Sequence, residues 1–110
     1  MAKYEKQVHG DFDEILNRLH EAVISGSTTA SYEDGSDFAQ GDFRCAVRVY
    51  ERYSWTGANR VSMSLTLAGC NDEYFLSVIT SGGSQALFTK INTIGEESFL
   101  ETIINTVDAL

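Results

Sequence analysis

Hydrophobic and polar residues alternate along the middle of the chain, which is the pattern of β-strands. From Phe43 to Trp55 nearly every second residue is apolar, and the alternation returns from Val61 to Leu67. Successive side chains of a strand point to opposite faces of its sheet, so each run predicts a strand with one buried face. Similar runs at 73–80 and 84–91 extend the prediction to four consecutive antiparallel strands.

Turn residues between these runs predict how the strands pair. Asn71-Asp72 suits a two-residue type I′ hairpin, which sets Leu67 opposite Leu76. Gly82-Gly83 provides a second tight turn, which pairs Val78 with Leu87 and Tyr74 with Ile91. The predicted inner face holds Phe43, Cys45, Val47, Val49, Leu65, Leu67, Leu76 and Val78. The predicted outer face holds Arg44, Arg48, Tyr50, Arg52, Phe75, Ile79 and Phe88.

Two amphipathic helices flank the predicted strands. Asp11 and Glu14 have the spacing of a capping box, apolar residues recur at helical spacing to Val23, and Gly26 suits the helix end. A second apolar stripe runs from Phe99 to Leu110, after Glu96 and Glu97. Residues 3–9 predict a short first strand. Residues 27–38 predict another, which Asp-Gly-Ser-Asp at 34–37 interrupts as a bulge or a loop.

These elements predict one domain of the α+β class over residues 1–110. It contains a curved antiparallel sheet of five to six strands in the order β-α-β-β-β-β-β-α, with both helices packed on one face. A chain of 110 residues is long enough to bury a core without disulfides. Cys45 on the predicted inner face is then a small buried hydrophobe.

Composition and charge exclude several classes of function. The net charge of −8 argues against nucleic-acid and anionic-membrane binding, which need positive surfaces. We find no apolar run long enough for a membrane span and no apolar stretch at the start that would predict a secretory signal. Two cysteines make no disulfide framework. We therefore expect an acidic protein of the reducing cytoplasm.

Three arginines spaced four residues apart on one strand form the first candidate site. Arg44, Arg48 and Arg52 share a face, and the predicted register places small residues opposite them, Ser64 across from Arg52 and Ala68 across from Arg48. Arginine binds carboxylate and phosphate groups through paired hydrogen bonds, so the stripe suits a small anionic ligand. The alternative, which we favour, is that Glu33 or Asp37 of the neighbouring strand neutralises the arginines.

Catalytic and metal sites have weaker support. Glu51 falls on the predicted apolar face, where burial would raise the pKa of its carboxyl group, but a position at the rim of the core, or a bulge that turns it outward, is the better interpretation. The spacing of His9 and His20 relative to the two cysteines matches no zinc-binding motif and no catalytic pair. We therefore predict neither kind of site. Asp-Gly-Ser-Asp lacks the further ligands of a calcium loop. We expect no metal and no cofactor.

Three runs resemble a family of short bacterial proteins known only as a domain of unknown function. They are FRCAVRVYERYS (43–54), TSGGSQA (80–86) and INTIGEE (91–97). The resemblance implies no activity, substrate or cofactor. The element order is also similar to helix-grip and TATA-binding-protein-like folds, which host many functions.

The sequence therefore predicts a non-enzymatic protein that self-associates or binds a protein partner through the outer sheet face. Phe75, Ile79 and Phe88 would supply the apolar contact, and the arginines with Tyr50 the polar part. A module that binds a small molecule or anion is the alternative.

Overall fold

The computed structural model describes residues 1–54, 59–82 and 89–110. The elements are β1 (Ala2–His9), α1 (Phe12–Ser25), β2 (Ser31–Gln40), β3 (Phe43–Ser54), β4 (Asn59–Cys70), β5 (Glu73–Gly82) and α2 (Thr89–Asp108). The five strands form one antiparallel sheet in the order β1-β5-β4-β3-β2. The predicted α+β class is confirmed, with the lower number of strands in the predicted range.

Both helices pack on one face of the sheet, and the core lies between these two layers. The Asp11 carboxylate caps α1 by accepting a hydrogen bond of 3.0 Å from the Glu14 N–H, as the spacing predicts. The buried apolar residues are Val8, Phe12, Ile15, Leu19, Val23, Ala46, Tyr50, Val61, Met63, Leu65, Leu67, Tyr74, Leu76, Val78, Phe99, Leu100, Ile103 and Val107. Within the described ranges, no helix is long and apolar enough to cross a membrane.

The β4–β5 hairpin has the predicted register. Asn71 and Asp72 have φ of 57° and 61°, which is the left-handed pair that a type I′ turn requires. Leu67 pairs with Leu76, and that register continues along both strands. The second edge of β5 pairs with β1, so the predicted partners of Tyr74 and Val78 are both wrong. Val78 lies opposite Tyr4. Tyr74 lies opposite Val8, whereas Ile91 belongs to α2.

The β3–β4 register differs from the prediction, and the difference exchanges the faces of β3. Arg48 pairs with Leu65 and Arg52 with Val61, rather than with Ala68 and Ser64. The shift is three residues, and any odd shift turns every side chain of a strand to the other face. Alternation alone favours the wrong face of β3, because Phe43, Cys45, Val47 and Val49 point outward while Ala46 and Tyr50 are buried on the face that carries the arginines.

Residues 34–37, for which the sequence predicted either a bulge or a loop, belong to strand β2, and a bulge precedes them. Its register with β3 shifts between Tyr32 and Asp34, and the strand then continues to Gln40. Nine of its ten residues are exposed, because it forms the sheet edge beyond the helices. Residues 83–88 of the predicted last strand, with Leu87 and the candidate Phe88, lie outside the described residues, as does Trp55.

Candidate functional site: the outer face of the sheet

The side chains that point away from the helices form the outer face. Strand pairing groups them into rows that run across all five strands. The first row is Lys3, Ile79, Ser64, Val49 and Asp34. The second is Glu5, Ser77, Thr66, Val47 and Ser36. The third is Gln7, Phe75, Ala68, Cys45 and Phe38.

Large apolar side chains are exposed on this face. Among the described residues, seven large hydrophobic side chains are exposed, and five of them point outward: Phe38, Phe43, Tyr53, Phe75 and Ile79. The rings of Phe38 and Phe43 lie beside each other, with centroids 6.4 Å apart. Isolated exposed hydrophobic residues are ordinary, whereas a continuous group on one face marks an interaction surface.

Charge is confined to the rim of the outer face. Its centre, defined as the outward positions at 43–49, 62–70 and 75–81, contains no Asp, Glu, Lys or Arg. The central strand β4 contributes only small side chains there, from Ser62 to Cys70. Lys3, Glu5, Asp34, Glu51, Arg60 and Glu73 surround this centre. An uncharged centre inside a charged rim is the usual anatomy of a protein interface.

The candidate arginines lie on the opposite, helix-covered face, which corrects their predicted position. Arg44 donates two hydrogen bonds, of 3.1 and 2.9 Å, to the Asp13 carboxylate of α1. Its guanidinium also stacks over the Phe12 ring, 4.1 Å from the centroid. The hydrogen bonds from Arg44 lower the pKa of Asp13. The structure therefore uses Arg44 to hold α1 against the sheet.

Arg48 and Arg52 are also engaged within the fold. Arg48 donates to Asp37 at 2.9 Å, which confirms for this arginine the favoured interpretation that an acid of β2 neutralises it. Arg52 stacks over Phe99 of α2, 4.8 Å from the ring centroid, and its burial lowers the pKa of the guanidinium. The long aliphatic stems of arginine allow these positions to be half-buried among apolar neighbours.

Tyr50, the fourth candidate on β3, lies in the core. Its hydroxyl is hydrogen-bonded to His20 Nδ1 at 2.9 Å, and its ring contacts the rings of His20 and Tyr32. Burial raises the pKa of Tyr50 to about 12. Because the hydroxyl has a hydrogen-bond partner, this cluster stabilises the packing of α1 on β3 and leaves no polar group directed at a ligand.

Glu51 and Cys45 lie on the outer face, not on the predicted inner face. The Glu51 carboxylate pairs with Arg60 at 2.8 Å and its side chain is 30% exposed on the outer face, neither in the core nor at a bulge, which removes the basis for a catalytic acid. Cys45 is half-buried in the third row, between Phe38 and Ala68. Within the described part of the chain, no three His, Cys, Asp or Glu residues form a group able to hold a metal.

Phe75 and Ile79 occupy the outer face as predicted, and the structure adds Phe38, Phe43 and Val49 to them. Sequence reasoning placed Phe43 and Val49 inside because it assigned the wrong face of β3 to the core. No signal within β3 identifies its covered face. The pairing with β4 distinguishes the covered face of β3 from its outer face, and that pairing depends on the fold as a whole.

Comparison with protein families matches the chain over its full length. The model described as "Family of unknown function (DUF6054)" covers residues 1–110. The chain belongs to this family. DUF6054 carries no activity or ligand in its description, and neither the curated proteins nor the solved structures contain a match. The function of this DUF6054 protein therefore has to be argued from its own surface.

Proposed function

We propose that this DUF6054 protein is a non-enzymatic binding module that pairs with a second copy of itself through the outer face. The observation that carries the proposal is the uncharged centre with its exposed Phe43, Phe75 and Ile79, and with Phe38 beside it on β2, inside a charged rim. Packing this face against an identical one removes the apolar side chains from water, which is the main source of association energy. The two free cysteines fit a protein of the reducing cytoplasm.

The size of the outer face is adequate for a stable pair. Five strands spaced by about 4.8 Å, each contributing about eight residues of ~3.3 Å, cover ~24 by ~26 Å, or ~600 Å². Specific interfaces bury roughly 600–1,000 Å² on each partner. Two sheets packed face to face would form a sandwich with an apolar layer between them.

The free edge of β2 is a weaker candidate for self-association. Glu33, Asp34 and Asp37 lie on this edge, beside the register shift that follows Tyr32. Two β2 strands paired edge to edge would bring these acids together, and like charges across a ladder are destabilising. Acidic side chains and a bulge are also the usual protection of an edge strand. The outer face has no such protection.

The test is the mass in solution over a wide concentration range, measured by light scattering or sedimentation velocity. We expect a dimer that dissociates on dilution. Ile79→Asp places a carboxylate in the centre of the face and should give a monomer. Asn105→Asp adds the same charge to an exposed position of α2 and should leave the dimer intact. A wild-type protein that remains monomeric at the highest concentration refutes self-association and directs the search to a different protein partner.

A small anion is the second candidate ligand. Thr29, Ser31, Glu51, Arg52, Tyr53 and Arg60 line a cavity of about 60 Å³ at one end of the sheet. Arginine and hydroxyl side chains are the chemistry that holds phosphate or sulfate, and an anion bound here would replace Glu51 as the partner of Arg60. Inorganic phosphate should then raise the melting temperature of the wild type but not of Arg60→Gln. Equal shifts in both proteins would exclude this site.

A further inference from the structure

We infer that the two copies are related by a two-fold axis that runs along β4, so that β4 faces itself and β1 faces β2 of the other copy. This inference rests on the proposed self-association and adds its geometry. Two sheets packed face to face have two simple symmetric arrangements. In both arrangements the two-fold axis lies midway between the two sheets. It runs along the strands in one arrangement and across the strands in the other. The distribution of charge and side-chain size on the outer face separates the two.

Charge favours the axis along the strands. The first row begins with Lys3 on β1 and ends with Asp34 on β2, at opposite edges of the sheet. An axis along β4 lays this row over the same row of the other copy in reverse order. Each Lys3 then approaches an Asp34, and the symmetry creates this pair twice.

Both charges are available for such a contact. The Lys3 ammonium lies 3.9 Å from Glu5, at the outer limit of an ion pair, and its side chain is well exposed. Asp34 accepts a hydrogen bond of 2.8 Å from the Gly35 N–H, and no cation of the described residues pairs with it. A long lysine side chain also tolerates the rotation of about 30° between packed sheets.

Side-chain size agrees with the same axis. Reversing the third row places Phe75 over the small Cys45, and reversing the second places Val47 over Ser77. Large residues therefore meet small ones in these two rows, as close packing requires, whereas Ile79 meets Val49 in the first row and Glu73 meets Phe43 beyond the third. Along the axis itself, Thr66 and Ala68 meet their own copies, and their small size lets the two sheets approach.

An axis across the strands produces poorer contacts. It keeps β5 over β5 but reverses the order of the rows along the strand. With this axis on the second row, Glu5 lies over Glu5 of the other copy, Asp34 lies over Phe38, and Ile79 lies over Phe75. This arrangement sets two Glu5 carboxylates against each other and the Asp34 carboxylate against an aromatic ring, and it loses the contact between Lys3 and Asp34.

Crosslinking at single cysteines distinguishes the axes. In a background of Cys45→Ser and Cys70→Ser, Thr66→Cys places a thiol on the proposed axis. Sheets packed about 10 Å apart are too distant for a disulfide, which needs Cα atoms within ~7 Å, so a short bis-maleimide is the reagent. We expect efficient dimer crosslinking at position 66. Ser77→Cys is the matched control on the adjacent strand, where the proposed axis offsets the two thiols sideways by ~10 Å and so places them ~14 Å apart instead of ~10 Å.

Charge reversal gives an independent readout. Lys3→Glu and Asp34→Lys should each raise the dimer Kd about tenfold, because two symmetric contacts become repulsive. The double variant should return the Kd to within about threefold of the wild type. Crosslinking at position 77 that equals or exceeds that at 66, or a double variant no better than the single ones, refutes this axis while the dimer stands. A monomeric wild type refutes the proposed function itself.

Discussion

Replacing Phe75 with serine tests the outer face at its centre. Phe75 lies in the third row beside Ala68 and Gln7 and is 44% exposed. A phenylalanine side chain has roughly 200 Å² of surface, so about 90 Å² remains to be buried by a partner. At about 25 cal/mol per Å², that burial contributes ~2 kcal/mol per copy and ~4 kcal/mol per dimer. Phe75→Ser should therefore raise the dimer Kd by about 1,000-fold.

The matched control is Tyr32→Ser, which also removes an exposed aromatic ring. Tyr32 is 48% exposed but lies on the helix-covered side of β2, next to His20. Its loss should leave the Kd unchanged. Sedimentation equilibrium gives the Kd of each variant, and circular dichroism shows whether each is folded. We expect Phe75→Ser to lower the stability of the single copy by only about 1 kcal/mol, because what it loses within the sheet is cross-strand contact.

Two results would refute this reasoning. A folded Phe75→Ser variant with the wild-type Kd would show that the outer face is not the contact surface. A Tyr32→Ser variant that weakens the dimer as strongly would place the contact surface on the helix-covered side of β2.

Three further predictions concern the fold beneath this face. Gly69→Ala should cost about 2–4 kcal/mol in denaturant unfolding, because φ of +154° and overlap of a new Cβ with the β5 backbone both oppose it. Gly41→Ala, with φ of +59° and open space around it, should cost only about 1 kcal/mol. An absorbance titration should show one of the five tyrosines ionising near pH 12, and this step should vanish in Tyr50→Phe. Because the folded pKa of Tyr50 is the raised one, its contribution to stability is complete below pH ~10 and is lost as the pH rises toward about 12. In Arg44→Gln, an NMR titration should find the pKa of Asp13 higher than in the wild type. The folded pKa of Asp13 is the lowered one, so the stability that Arg44 provides should disappear as the pH falls through it.

Local signals were sufficient for much of this fold. The type I′ turn at Asn71-Asp72 sets the β4–β5 register because two residues with positive φ allow one pairing of the flanking strands. Helix α1 begins at its predicted cap because the Asp11 carboxylate satisfies a free N–H of the first turn. These features depend on neighbours in the chain, so the sequence alone determines them.

The tertiary structure decided which face of β3 is buried, and with it the composition of the candidate site. Both faces of β3 carry apolar residues, and the covered one also carries three arginines. Packing of Arg44 over Phe12 and Arg52 over Phe99 makes that face compatible with burial under the helices. These contacts join residues far apart in sequence, and no local pattern reports them. The apolar outer face, on which the proposed self-association depends, therefore became visible only in the folded sheet.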